Sequence, residues 1–121
     1  MITYMTRNMK PLSFKKEINS NKGVSLVRFC TEWNGSCRIM AETLKELESY
    51  YSSFIRFYTI DVDKEPQMAR EFGIHEIPAL LIFKNGVVID RITGSVAKNI
   101  LIEKMNALLP HKNKSDYHLY L

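Results

Sequence analysis

The sequence is poor in cysteine and histidine, and each shortage excludes a kind of site. Only two of its 121 residues are cysteines, Cys30 and Cys37, too few for the disulfide framework of a small secreted domain. The three histidines, His75, His111 and His118, share no metal-ligand spacing with each other or with both cysteines. We therefore expect neither a metal site nor a cofactor.

Long apolar runs and clustered positive charge are also absent. Residues 1–10 alternate polar and apolar side chains, so neither a secretory signal nor a membrane span is visible, and we expect a cytoplasmic protein with no membrane partner. The formal net charge is +4, but the lysines are scattered and no basic stripe is interleaved with aromatic residues. This distribution argues against nucleic acid as a partner.

What the sequence contains is the pattern of one globular domain, residues 1–110, followed by a polar tail at 111–121. Hydrophobic residues make up 45% and charged residues 25% of the chain, a typical balance for a globular protein. Periodicity predicts strands over residues 24–30, 54–62, 79–83 and 87–92. It predicts helices over residues 35–51, 63–72 and 96–109, and a short surface helix over 13–19.

The order of these elements predicts a mixed sheet. Two strands joined by a helix favour a parallel pair, whereas Asn85-Gly86 is typical of a two-residue type I′ turn between antiparallel strands in tight register. The helices are then free to cover both faces of the sheet. The expected fold class is therefore α/β, a sandwich around a mixed sheet.

Several short motifs agree with one known family in order and spacing. They are Trp33-Asn34-Gly35-Ser36-Cys37 at the start of a predicted helix, Ile77-Pro78 before a strand, Phe83-Lys84-Asn85-Gly86 in the hairpin, and the later Gly94. On these motifs, together with Phe29, Glu32-Trp33 and Asp63, residues 12–109 resemble the thioredoxin family. The resemblance implies a thioredoxin-like three-layer sandwich and a role as a thiol-disulfide oxidoreductase in cell redox homeostasis. We expect a monomer.

The chain departs from this family at the reactive cysteine. The family motif is Trp-Cys-Gly-Pro-Cys, whose first cysteine attacks the substrate disulfide, and Asn34 stands at that position. A thiolate at a helix start is stabilised by exposed N–H groups and the helix dipole; asparagine offers no such nucleophile, although it caps a helix well. Cys37 matches the second, resolving cysteine. Whether the chain is an enzyme is therefore left open.

Other positions of the family's catalytic apparatus have changed too. Ser36 replaces the motif proline, Arg28 a buried aspartate, Thr59 the lysine that accompanies it, and Glu42 the proline that kinks the helix. We interpret these changes as a degenerate active site. A buried arginine is costly without a carboxylate partner, so we predict that Arg28 pairs with Glu42.

The substrate-docking surface of the family is retained. With Ile77-Pro78 in the cis form, as in thioredoxins, the Ile77 backbone is open to an extended peptide beside Trp33. The resemblance implies a binding surface made of Trp33, Gly35, Ser36, Ile77, Pro78 and Gly94. We therefore expect a protein or peptide partner in the groove beside the cis-proline.

Three interpretations of Cys37 are open. It is a buried relic of a dithiol ancestor; or a lone nucleophile whose thiolate Arg28 stabilises; or the partner of Cys30 in a redox pair, which needs Cα atoms within about 7 Å. The first favours a redox-impaired protein that binds a partner without turning over disulfides. The other two favour an atypical protein-disulfide oxidoreductase that uses Cys37, alone or with Cys30.

Overall fold

A computed structural model of the chain describes residues 11–20 and 22–109. Eight elements follow one another: α1 (Pro11–Ser20), β1 (Val24–Cys30), α2 (Gly35–Tyr51), β2 (Ile55–Asp61), α3 (Pro66–Glu71), β3 (Ala79–Lys84), β4 (Val87–Thr93) and α4 (Lys98–Leu108). Each predicted helix and strand is present, with small differences at the ends. The predicted polar tail at 111–121 lies outside the described residues.

The strands form one mixed sheet in the order β2-β1-β3-β4. Strand β1 pairs in parallel with β2 and antiparallel with β3, and β3 pairs antiparallel with β4. All seven residues of β1 are buried, which explains its nearly continuous apolar run, because a central strand covered on both faces has no solvent side.

The sheet separates two hydrophobic cores. On one face, α2 and α4 pack against alternate strand residues such as Leu26, and the Tyr51 hydroxyl of α2 donates to Asn106 Oδ1 of α4 at 2.7 Å. On the other face, α1 and α3 pack against the intervening residues, such as Val27. The predicted arrangement, a central mixed sheet with helices on both faces, is confirmed.

Helix α1 contributes to the core, and its prediction as a surface element is wrong for its apolar side. Phe14 is 0% exposed and Ile18 is buried. The ring of Phe14 makes edge-to-face contacts with Tyr58, Phe72 and Phe83 at centroid distances of 5.8, 6.1 and 6.3 Å. Two apolar residues four apart are therefore enough to anchor this short helix on the sheet.

Helix α3 begins at Pro66, later than predicted, because the preceding backbone amides are already engaged. Asp61 Oδ1 accepts from the N–H groups of Asp63 at 2.9 Å and Lys64 at 3.3 Å, which holds a turn before the helix. The helix ends before Gly73, whose φ of 67° suits glycine. No helix in the described part of the chain is both long and apolar enough to cross a membrane.

The β3–β4 hairpin turns at Asn85-Gly86, as predicted. Their φ angles of 52° and 83° are both positive, as a type I′ turn requires. The expected tight register is wrong at one point: Ile82 pairs with Asp90 but Phe83 pairs with Val88, which leaves an extra residue in β4. This β-bulge is a local feature of the backbone that the alternation of residue types does not specify.

Candidate functional site

The two cysteines form a disulfide between the end of β1 and the start of α2. Cys30 is the last residue of β1, Cys37 lies in the first turn of α2, and their Cα atoms are 5.6 Å apart. Residues two apart in a strand share a face, so Cys30 lies on the α2 side of the sheet with Leu26 and Arg28. The interpretation of Cys37 as an unpaired thiol is therefore wrong, and the third interpretation, a pair with Cys30, describes the structure.

Both sulfurs of this pair are shielded from solvent. Cys30 is 2% exposed and Cys37 is 0% exposed. An external thiolate therefore reaches either sulfur only when the surrounding chain opens locally. In this respect the pair differs from a dithiol with a nucleophile on the surface.

Asn34 holds the start of α2 beside the disulfide. Its backbone is extended, with φ −80° and ψ 124°, and its side-chain oxygen accepts from the Cys37 N–H at 2.9 Å. The capping role predicted for this asparagine is confirmed. The position where the family has its attacking cysteine is thus occupied by a residue that fixes the helix end next to Cys37.

Arg28 lies beneath the first turn of α2, on the same face of the sheet as Cys30. It is 9% exposed, and its guanidinium donates from Nη1 to the Cys37 carbonyl at 3.1 Å and from Nη2 to Thr59 Oγ1 at 3.2 Å. Burial lowers the pKa of Arg28, but a guanidinium stays protonated at neutral pH. A buried positive charge therefore contacts the backbone of Cys37, one of the two residues of the disulfide.

The predicted pair between Arg28 and Glu42 is wrong. Among the described residues no carboxylate forms an ion pair with Arg28, and Glu42 is exposed on α2. The guanidinium instead donates a hydrogen bond to the Cys37 carbonyl in the first turn of α2, which partly satisfies its N–H donors without a carboxylate. Nε of Arg28 has no hydrogen-bond partner in the described part of the chain.

Asp61 is a charged neighbour of the disulfide that the sequence analysis did not single out. It is opposite Cys30 in the parallel β1–β2 register, and side chains at paired positions lie on the same face. The residue is buried, and its carboxylate accepts from the backbone amides of Asp63 and Lys64. In the sequence, Asp61 is marked only by being an acidic residue at the end of a mostly apolar strand.

An open groove with a volume of about 390 Å³ lies after the end of β1, where it is lined by Thr31, the residue that follows Cys30. Trp33 is 67% exposed on its edge, and its Nε1 donates to Asp63 Oδ2 at 2.7 Å, which ties the loop after β1 to the loop after β2. Trp33 and Ile77, both predicted site residues, line the groove. Thr31, Asp63, Arg70, His75 and Glu76 also line it and were not predicted as site residues.

The remaining predicted site residues, Gly35, Ser36, Pro78 and Gly94, do not line this groove. The Ile77–Pro78 peptide bond is cis, and the Gly94 N–H donates to the Pro78 carbonyl at 2.8 Å. Gly94 has a φ of 83°, a backbone conformation that favours glycine, while a Cβ there would make an ordinary 3.4 Å contact with a Glu76 carboxylate oxygen. Gly35 and Ser36 are exposed in the first turn of α2 and do not line the groove.

Residues 11–20 and 22–109 contain no cluster of side chains that could bind a metal ion. No group of three or more His, Cys, Asp or Glu side chains in these ranges is arranged to hold a metal ion. The chemistry that the site offers is therefore that of the Cys30–Cys37 disulfide, with Arg28 and Asp61 as its charged neighbours.

Comparisons with known proteins agree on one family. The thioredoxin family profile matches residues 5–107. The chain is 38% identical to a thioredoxin of Pyropia yezoensis over 94 residues, which covers 78% of this chain and 88% of that protein. It is 34% identical to thioredoxin 1 of Nostoc sp. strain PCC 7120 over 93 residues, or 77% of this chain and 87% of that protein.

A solved structure supports the same assignment. It comes from a study of the thiol-resolving mechanism in yeast mitochondrial 1-Cys peroxiredoxin via glutathione and thioredoxin systems. The TM-score is 0.78 at 26% sequence identity, and the match covers 88% of this chain and 100% of that one. With its mixed sheet, its flanking helices and these relatives, the chain belongs to the thioredoxin family.

Proposed function

We propose that this thioredoxin-family chain is a redox protein that exchanges disulfides with protein substrates through Cys30 and Cys37. The observation that carries the proposal is the disulfide itself, which joins the start of α2 to the end of β1. In the family, the reactive pair occupies the positions of Asn34 and Cys37. Here the second position is kept and its partner is Cys30 in place of residue 34.

The groove after the end of β1 is the proposed site for a protein or peptide substrate. An exposed indole is a good contact surface, and Trp33 is held in place by its hydrogen bond to Asp63. Ile77, before the cis bond, lines the same groove and offers its backbone to an extended chain. We also propose that the protein acts as a monomer in the cytoplasm, where cellular thiols would reduce the pair between turnovers.

A second candidate function is a binding module that does not turn over disulfides. The near-zero exposure of both sulfurs favours it, because a buried disulfide also acts as a structural crosslink. The degenerate motif with Asn34 fits this candidate equally well. The same groove would then bind its partner, and the redox state would affect only stability.

An insulin reduction assay with dithiothreitol as electron source separates the two candidates. We expect the wild-type chain to accelerate insulin reduction, and both Cys30→Ser and Cys37→Ser to lose the acceleration. Asn34→Ala is the matched control, because it removes the helix cap but leaves both cysteines in place. Wild-type protein that does not accelerate reduction, while Asn34→Cys does, would refute exchange through the Cys30–Cys37 pair and leave the binding function.

A further inference from the structure

We infer that a thiolate of the cellular reductant attacks Cys30 and that Cys37 leaves as a thiolate, with Arg28 as the positioning residue that sets this order. The inference rests on the proposed exchange at the Cys30–Cys37 pair and adds the roles of the two sulfurs. In thiol-disulfide exchange, the thiol that is more acidic leaves faster. The order of attack is therefore decided by which of the two cysteines is the more stable thiolate inside the protein.

Positive charge lies on the side of Cys37. The Arg28 guanidinium donates to the Cys37 carbonyl at 3.1 Å, and no ion pair with a carboxylate neutralises it among the described residues. Cys37 also lies in the first turn of α2, where the positive end of the helix dipole favours an anion. A thiolate on Cys37 would neutralise a buried cation, whereas a disulfide leaves that cation uncompensated.

Negative charge lies on the side of Cys30. Asp61 is its register partner on β2, is buried, and lies on the same face of the sheet. A carboxylate next to a developing thiolate disfavours it by repulsion. On β3, the residues level with this end of β1 are the uncharged Ala79 and Leu80, so Asp61 is the charge that acts on Cys30 from a neighbouring strand.

The charges on α2 do not change this asymmetry. Arg38 and Glu42 are both exposed on the helix, where water screens them. Asp63 is also exposed, and its carboxylate is bound to the Trp33 indole. Glu48 is the buried carboxylate of α2, but it lies eleven residues, or about three helical turns, beyond Cys37. The buried charges close to the two sulfurs are thus Arg28 and Asp61, and they act in the same direction.

The first step is a displacement at sulfur. A thiolate of the reductant forms a bond to Cys30 Sγ, the bond between Cys30 Sγ and Cys37 Sγ breaks, and its electron pair stays on Cys37 Sγ. A second thiol of the reductant then loses its proton to water and attacks the reductant sulfur of the mixed disulfide. Cys30 leaves and takes up a proton, so the reductant is oxidised to a disulfide and the protein disulfide is reduced by two electrons, which makes the pair ready to reduce a substrate disulfide.

Mapping the first adduct on the wild-type chain tests this order directly, because the sequence holds only these two cysteines. Oxidised protein is mixed briefly with reduced glutathione, quenched in acid, unfolded, alkylated and digested for mass spectrometry. We expect glutathione on Cys30 and the alkyl group on Cys37, in an excess of at least about threefold, the change that a Brønsted slope near 0.5 gives per pKa unit.

Two other outcomes would overturn the inference. An excess of glutathione on Cys37, or an equal division between the cysteines, contradicts the roles assigned here but leaves the proposed exchange intact. No adduct at all would overturn both the inference and the proposed function. A protein that gives the Cys30 adduct but fails to reduce insulin would support the inference and refute turnover of protein substrates.

The role of Arg28 is tested by the pKa of the Cys37 thiol in the Cys30→Ser variant, followed by thiolate absorbance at 240 nm. We expect a pKa below the unperturbed value of about 8.5. Adding Arg28→Gln should raise it by about one unit, a tenfold smaller thiolate fraction, and Arg28→Lys should restore most of the loss. Arg38→Gln, which removes an exposed charge from the same helix, is the matched control.

An unchanged pKa after Arg28→Gln, or an equal shift from Arg38→Gln, would overturn the role of Arg28. A purely structural role of Arg28 would change stability but not this titration. Where Arg28→Gln fails to fold, the comparison of the thiol pKa values in Cys30→Ser and Cys37→Ser still tests which cysteine is the leaving group. Cys37 must then titrate at lower pH than Cys30.

Discussion

Reduction of the Cys30–Cys37 disulfide at pH 5 is expected to lower the free energy of unfolding by about 2.5 kcal/mol. The bond closes a loop from the end of β1 to the first turn of α2, with a sequence separation of 7. For a loop of this length, the loss of chain entropy in the unfolded state gives roughly that value at 25 °C. Measurement at pH 5, well below the unperturbed thiol pKa of about 8.5, reduces the contribution of a Cys37 thiolate to this difference.

Urea unfolding of oxidised and reduced protein, followed by circular dichroism, measures this difference. In a thermal scan, about 2.5 kcal/mol corresponds to roughly 10 °C for a domain of this size. The Cys30→Ala, Cys37→Ala double variant is the control, and its unfolding should not respond to reductant. Equal stability of the oxidised and reduced wild-type proteins, or higher stability after reduction, would refute the crosslink argument.

Three further substitutions test individual structural assignments by urea unfolding. Asn34→Ala should cost about 1 kcal/mol because the Cys37 N–H loses its capping oxygen; a neutral effect would contradict the cap. Phe14→Ala should lower the free energy of unfolding by about 3–5 kcal/mol because the ring is fully buried against three aromatic neighbours. A loss below about 1 kcal/mol would contradict the packing of α1 in the core. Gly94→Ala should cost about 1–3 kcal/mol from its positive φ, whereas Gly35→Ala, with open space around its Cβ position, serves as the comparison.

Much of the fold was predictable because local signals agree with the tertiary structure. The apolar run of β1 predicts a buried central strand, and Asn85-Gly86 predicts the hairpin turn that the backbone adopts. The bulge in β4 and the late start of α3 were not predictable in this way. The first depends on how two strands align, and the second on the Asp61 side chain accepting backbone amides, and neither leaves a periodic pattern.

The candidate site was harder to predict than the fold. The motif around Trp33 and Ile77 identified the groove, but the partners of Cys37 and Arg28 depend on distances across the turn between β1 and α2. Arg28 contacts a backbone carbonyl and not a carboxylate, and because every residue has a carbonyl this contact leaves no signature in the sequence. The spacing of Cys30 and Cys37 likewise gives no separation in space until the turn is known.

The departures from the family motif form one arrangement around Cys37. Replacing the surface cysteine by Asn34 removes an exposed nucleophile but supplies a good helix cap. Cys30 then provides Cys37 with a partner from the strand below, and Arg28, two residues earlier on the same face, contacts the same helical turn. Independent loss of a catalytic apparatus gives no reason for these three residues to converge on Cys37. Their convergence supports the proposed redox pair, in which the partner of Cys37 lies in the interior in place of the surface position.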